Sequence, residues 1–528
     1  MTTHRPTLPG PRAYDDADLA PAPPPGTTPP ELSEVTRLLA IGAETDPEYA
    51  DRVVGELVGN SHRFAAPAYG YDAATVLGHA LAARARRRAR TTAVVLACVL
   101  WFLFGVLMPA MGAYGGTGFW VSSVVAVWTV WAANLFAAIV QRQVVTVQLR
   151  RSRTAGRGFD GVAPVVAPGT PELYEKIRGD QDSTEGVVYY GGYVPFVGAG
   201  DSVRRWSFAC LLERAQPPSF PPSFPPAYVP PPGPADAGPA DGKAGPARAT
   251  DPDPFTADEL TAYMEERLRS SLLDEVAAHS QRLRGLEVTR RFYAKALGSR
   301  PPVPYERLAE YRAAADEVPD HYNAAREYLC VRVGSWSQEL VTSVFLNVDL
   351  KGRMIYTQFH GYHLMPIKSA YHEASRLRRL TSGEVWSLAW RAAVEAVAGI
   401  ATAAVWLLAL PFALARTVWN RKDLRAAAVR HEPDEDQDLV DWGARRSVRE
   451  MASGGYRHFF QQMDDEKFIK IIERRTFEVI LDFLEDHAVD TTEYRAQQTA
   501  LNVGILQTGG GTIVNSGATA VGPQAKAS

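Results

Sequence analysis

TTAVVLACVLWFLFGVLMPAMGAYGGTGFWVSSVVAVWTVWAANLFAAIVQ, residues 91–141, places no Asp, Glu, Lys, Arg or His between Arg90 and Arg142. An α-helix rises ~1.5 Å per residue and needs roughly 20 residues to cross the hydrocarbon of a bilayer, so this stretch is long enough for two crossings. Thr92 to Gly112 and Gly118 to Val140 read as the two helices, with Ala113-Tyr114-Gly115-Gly116-Thr117 as the turn and Pro109 just ahead of it. Burial of both helices in a soluble core would need a protein shell that the low-complexity sequence elsewhere cannot supply. The predicted unit is a membrane hairpin.

Flanking charge orients it, because basic residues beside a crossing are retained in the cytoplasm. Arg84, Arg86, Arg87, Arg88 and Arg90 precede the first helix, and Arg142, Arg150, Arg151 and Arg153 follow the second. Both ends of the hairpin, and the N-terminus, are therefore expected in the cytoplasm of a multi-pass protein of the cytoplasmic (inner) membrane. The same arginines could hold anionic headgroups at ~1 kcal/mol each, but retention already accounts for them. A third apolar run, Ala396 to Ala415, is richer in alanine and reads as a third transmembrane helix, with Trp386, Trp390 and Trp419 at its ends and Arg391 and Glu395 spaced i,i+4 at its entrance. Its flanks are almost equally basic, so charge does not place the C-terminus: a full crossing puts it outside, a re-entrant or surface helix leaves it inside.

A mean hydropathy of −0.16 requires most of the 528 residues to face water. A net charge of −3 and a pI near 6.4 give no basic surface, and no nucleic-acid partner is expected. The excess of Arg (47) over Lys (9) reflects coding bias and is assigned no role. Cys98, Cys210 and Cys330 are too few and too scattered for a disulfide framework. Residues 1–30 contain no apolar core to act as a secretory signal, and their prolines predict a disordered arm.

The fold class that follows is a membrane protein with three transmembrane helices, a hairpin plus one later helix, carrying an α+β cytoplasmic domain and disordered Pro-rich segments. Residues 31–91 form a helical segment with Leu32, Val35, Leu38, Leu39 and then Val53, Val54, Leu57, Val58 at helical spacing. The hairpin occupies 92–140, the α+β domain 141–385 with a Pro-rich insertion at 216–256, the third membrane segment 386–418, a charged linker and amphipathic helical region 419–500, and a Gly-rich tail 501–528. Strand-like runs are Gly186 to Tyr190, Trp206 to Leu212, Tyr328 to Val333, Leu340 to Leu350 and Met354 to Leu364, with Asp349 to Arg353 as the turn into the last. Tyr193 to Asp201 reads as the loop of a hairpin between the first two. Thr256-Ala257-Asp258-Glu259 is a capping box opening a helix with Leu260, Met264, Leu268 and Leu272 on one face, and Phe468, Ile472, Val479 and Phe483 mark another over Asp465 to Asp486. That second helix either packs on its own domain or binds a partner helix.

Candidate chemistry is sparse. Gly198-Ala199-Gly200-Asp201 followed by Arg204-Arg205 offers a glycine turn and guanidiniums to a phosphate, but it lacks the Lys and hydroxyl of a P-loop, and a strand follows rather than a helix. On a strand, His360 and His363 project to opposite faces, which argues against chelation by them with His372 and Glu373. No catalytic, cofactor-binding or metal-ligating residue is assigned, and no cofactor is expected. Asn134, between Trp128, Trp131 and the cytoplasmic end of its helix, reads as helix-packing glue rather than a pore lining. The PPSF repeats of the insertion are a spacer or a ligand for an aromatic groove, and Gly504 to Gly522 is a flexible tail or a self-associating β-arch.

Arg63-Phe64-Ala65-Ala66-Pro67-Ala68-Tyr69-Gly70-Tyr71-Asp72 leading to Val76-Leu77-Gly78-His79, the stretch Tyr190 to Gly198, and Ile471-Ile472-Glu473-Arg474-Arg475 resemble uncharacterised multi-pass membrane proteins of high-GC Gram-positive bacteria. The resemblance covers most of the chain outside its Pro-rich parts; it implies location and architecture and transfers no functional residue. The expected function is a membrane-anchored scaffold or docking protein whose partners are the lipid bilayer, a cytoplasmic protein assembly of stress-response, defence or phage-tail-like type, and further copies of itself. The alternatives are a membrane-bound enzyme on a nucleotide or lipid-linked substrate near Gly198 to Arg205 and His360 to His372, and an oligomeric pore.

Overall fold

The computed structural model describes residues 33–111, 117–150, 159–165, 170–181, 186–215, 253–274, 283, 285–298, 325–336, 338–377, 381, 383–394 and 440–502. The N-terminal arm, the hairpin turn, nearly all of the Pro-rich insertion, the third apolar run and the Gly-rich tail after Asn502 lie outside the described residues.

Ser33 caps α1 (Glu34–Thr45) by accepting from the Thr36 amide, and Asp46 caps α2 (Pro47–Leu57), whose first residue is a proline with no amide to leave orphaned. Six of the residues at helical spacing, Val35, Leu38, Leu39, Val53, Val54 and Leu57, are buried together, whereas Val58 is exposed and Leu32 lies outside the described residues. After its cap Asp72, α3 (Ala73–Trp101) runs unbroken through Arg84 to Arg90 into the apolar stretch and continues as a π turn, Phe102–Leu107. No Gly or Pro lies near residue 91 to stop a helix, so the cytoplasmic segment and the first apolar helix are one rod.

Antiparallel to α3 lies α4 (Thr117–Gln143), extended by a second π turn, Val144–Gln148. The spans Ala73–Leu107 and Thr117–Gln148 are both long and apolar enough to cross a membrane, each holding an 18-residue stretch of mean hydropathy 2.0 and 1.9 respectively. Leu96, Leu100, Trp120, Val124, Trp128 and Phe136 are exposed along them, an apolar surface suited to lipid and not to water.

A six-stranded sheet follows the hairpin, built from β1 (Val187–Tyr190), β2 (Asp201–Leu211), β3 (Leu286–Lys295), β5 (Ala325–Ser335), β6 (Leu340–Lys351) and β7 (Met354–Leu364); β4 (Leu297–Gly298) pairs separately with β8 (Val440–Asp441). Its order is β1-β3-β5-β6-β7-β2, with β1 parallel to β3 and every other pair antiparallel. The expected strands are present, and β3 adds one that the sequence reading passed over.

The main correction concerns β1 and β2. They lie at opposite rims of the sheet, so residues 191–200 cross its face instead of closing a hairpin. Two gains favour this: β2 pairs along its whole length with the equally long β7, and Phe196 is buried in the middle of the crossing. Phe196 stacks on Phe345 at 4.1 Å and meets Tyr293, Tyr328 and Tyr362 at 5.2, 5.0 and 5.3 Å.

The alternation of side chains gives the sheet a second apolar face, with Val331, Val344, Leu346, Ile355 and Phe359. Onto it pack α6 (Ala257–Arg269), which opens with the expected capping box, α8 (Phe459–Asp486) and α9 (Thr492–Asn502). Trp206 is stacked among Phe208, Phe359 and Phe477 at 4.9, 5.1 and 4.8 Å. The amphipathic face of α8 is thus turned onto its own domain. The described residues 440–502 are built into the sheet body and not beyond it: besides β4 with β8, Tyr190 bridges Ala444, Arg214 bridges Val489 and Ile367 bridges Ser453.

Candidate functional site

Gly198 and Gly200 adopt φ of +88° and +87°, in the left-handed region open to glycine. Their amides point at one oxygen: both donate to Glu450 Oε1, at 2.8 and 3.1 Å, and the Ser447 amide donates to Oε2 at 2.9 Å. Such convergent amides make an anion cradle, and here the chain's own carboxylate fills it. Burial pushes the Glu450 carboxyl above the usual range, against the pull of these donors. The guanidinium of Arg204 is also engaged, donating to Glu473 Oε1 at 2.9 Å beside Trp206 Nε1 at 2.7 Å.

The histidines divide as period-two alternation requires. His360 faces the aromatic cluster, 5.3 Å from Phe196, and burial, then Arg205, lowers its pKa to about 4. His363, on the other face, places Nδ1 2.8 Å from Asp465 Oδ2. Asp465, 1 % exposed, also accepts from Tyr456 Oη and Thr342 Oγ1, each at 2.7 Å, so α8 is fastened to the ends of β6 and β7. Burial and the hydrogen bond to Asp465 push the Tyr456 phenol well up. A second knot adjoins it: Arg457 donates to Glu339 Oε2 at 3.0 Å, and His372 Nε2 lies 2.9 Å from the same oxygen. His372 belongs to α7 (Ser369–Ser375), whose Tyr371 donates to Asp46 at 2.8 Å, where α1 meets α2.

At the base of the hairpin the links continue. Glu44, 3 % exposed, pairs with Arg86 and lies 3.2 Å from His79 Nδ1, while Gln141 donates to its carbonyl at 2.7 Å. Arg90 Nε donates to Asn134 Oδ1 at 2.6 Å and Trp101 Nε1 to Ser123 Oγ at 2.8 Å, joining α3 to α4 from within. Asn134 is therefore occupied inside the hairpin. Polar contacts run from the apolar helices through α1 and α7 to β6, β7 and α8.

The segments Gly198 to Arg205 and His360 to His372 do meet, but as neighbouring strands: Asp201 is opposite His363 and Arg205 opposite His360. A cleft lined by Glu56, Arg63, Lys176, Asp180 and Arg446 lies apart from them, between α2 and α5 (Thr170–Gln181). Among the described residues no three His, Cys, Asp or Glu side chains are grouped to hold a metal ion. Sequence reasoning missed Glu44, Glu339, Arg449, Glu450 and Asp465. Arg449 is fully buried and donates to the carbonyls of Tyr69 and Glu339 at 3.0 and 2.7 Å; its partners lie more than a hundred residues away, so no local spacing marks it.

These contacts define a class of molecule: an α+β body fastened by polar knots to the base of an apolar helical hairpin. A family model described as an AbeC-like domain matches residues 205–516, more than half of the chain, and the chain belongs to that family. The matched span begins inside β2 and ends beyond α9, so it takes in the sheet from β2 onward together with the C-terminal helices that cover it. No curated protein and no solved structure matches the chain.

Proposed function

We propose that the protein is a membrane-anchored docking platform. The hairpin crosses the cytoplasmic membrane with both ends inside, in accord with the arginines at its base, and the α+β body offers the Pro-rich insertion and the C-terminal tail to a cytoplasmic protein assembly. The bilayer is one partner, further copies of the chain are another, and nucleic acid is not among them. One observation carries this reading: α3 passes as a single helix from the packed bundle into the apolar stretch. A body attached in this way is held at a fixed attitude, as a presenting surface requires, whereas a flexible linker would let it tumble.

The test uses the full chain in its own membrane, with a photo-crosslinking residue placed within 216–256. The expected result is a discrete adduct with a cytoplasmic protein, lost when the insertion is replaced by a Gly-Ser linker of equal length and the crosslinker is moved to that linker. Equal adducts with both sequences would refute docking through the insertion. Release of the protein by alkaline carbonate would refute the anchor.

A further inference from the structure

Residues 440–502 are interleaved with everything that precedes the third apolar run. The Trp442 amide donates to the Ala296 carbonyl at 2.8 Å and the Ala444 amide to the Tyr189 carbonyl at 2.9 Å. The Phe64 amide donates to the Trp442 carbonyl at 2.8 Å, and Tyr49 Oη to the Val448 carbonyl at 3.2 Å. Val448, Met451 and Ala452 share a core with α1, α2 and the start of α3. A bilayer cannot pass through a packed core, so the helical bundle and sheet that precede residue 378 and the described residues 440–502 occupy one side of it.

The chain between residues 394 and 440 must then cross an even number of times. It contains one apolar run, Ala396 to Ala415, enough for a single passage, and residues 416–439 carry eleven Asp, Glu, Lys and Arg side chains, which rule out a return helix.

Even so, the approach to that run lies along the hairpin. Residues 383–394 are helical; Glu384 lies 3.8 Å from Arg142, and the Ala389 carbonyl accepts from Trp131 Nε1 at 2.9 Å. Trp131 is about 16 Å from Arg142 along α4, toward the hairpin turn. On the same helical stretch Trp386 and Trp390 are 77 % and 70 % exposed, side chains that favour the headgroup level of a bilayer.

Given that the hairpin crosses the bilayer, we infer that residues 383–394 form a lipid-facing surface at the cytoplasmic leaflet, and that residues 440–502 lie on the same side of the bilayer as the N-terminal bundle. Among the described residues, the two hairpin helices are then the ones that cross.

Single cysteines at Gly116, Glu175 and Lys470 of the full chain, treated with a membrane-impermeant maleimide in intact protoplasts against the unsubstituted chain as background, test this. Glu175→Cys and Lys470→Cys are expected to respond alike and oppositely to Gly116→Cys, with protection lost only on permeabilisation. Reaction of Lys470→Cys alone, with Glu175→Cys protected, overturns the shared side and leaves the hairpin standing. Identical behaviour of all three positions overturns the hairpin itself. For the lipid-facing surface, a bimane on Trp390→Cys is expected to be quenched by spin-labelled lipid, and absence of quenching overturns it.

Discussion

His360 is held neutral beside the aromatic cluster around Phe196. Because the folded chain resists its protonation and the unfolded chain does not, the stability it contributes is complete above about pH 6.5 and is lost as pH falls toward 4. The loss should amount to roughly 1–2 kcal/mol once its partial exposure is allowed for. His360→Phe is expected to flatten this limb in urea unfolding of the detergent-solubilised chain between pH 7 and 4; an unchanged slope would show that another group titrates there. Asp465 is a buried acceptor for three partners. Asp465→Ala strands those donors and is expected to cost about 3–5 kcal/mol in the same unfolding assay, with Asp465→Asn recovering part of it. Period-two alternation was enough to separate His360 from His363. The partners of the glycine turn were not legible, because Glu450 reaches Gly198 and Gly200 across a long separation in sequence that no local spacing encodes.

Among the elements, those with local signals were read correctly and those defined by distant pairing were not. The capping box of α6, the apolar stripe of α8 and the strands β5 to β7 each declare themselves within a dozen or so residues. The residues of β3 alternate only over Leu286 and Val288 before Arg290 and Arg291 interrupt them, and its place between β1 and β5 is a tertiary fact. Likewise β1 and β2 look like a hairpin until their partners are known. The crossing segment between them can be tested directly: Phe196→Ala removes the ring at the centre of the aromatic cluster and is expected to cost about 3–5 kcal/mol. Gly200→Ala is expected to be damaging too, since its φ is +87° and a Cβ there meets the His363 carbonyl. Thermal unfolding of both variants checks this, and wild-type midpoints would mean that the segment does not rest on the sheet.

For the whole molecule, the two ends of the Pro-rich insertion are neighbours. The Ala215 amide donates to the Ala488 carbonyl at 2.9 Å and the Asp253 amide to the His487 carbonyl at 3.1 Å, so consecutive carbonyls after α8 hold them together. Replacing residues 217–251 with a short Gly-Ser linker is therefore expected to shift stability by less than about 1 kcal/mol, since closing a shorter loop changes entropy only logarithmically. A large loss would show that the insertion packs against the body. Truncation at residue 439 should behave differently, because it strips α8 and α9 from the sheet face that holds Trp206 and Phe359, and an aggregated product on size-exclusion chromatography is expected. The sequence reading separated residues 419–500 from the α+β domain because apolar and charged stretches intervene, and only the three-dimensional packing reunites them.

The position of β1 and β2 at opposite rims also sets an order for biosynthesis. Neither strand has a neighbour until the ribosome has delivered β3 and β7, and the bundle lacks Tyr371, Val448 and Met451 until later still. The hairpin emerges well before any of these, so on the anchoring proposed above its insertion into lipid would precede assembly, and the sheet would condense from an already tethered chain. Confinement at that surface shortens the search between strands far apart in sequence, while keeping unpaired β1 and β2 of neighbouring nascent chains close enough that rapid synthesis would favour intermolecular mispairing.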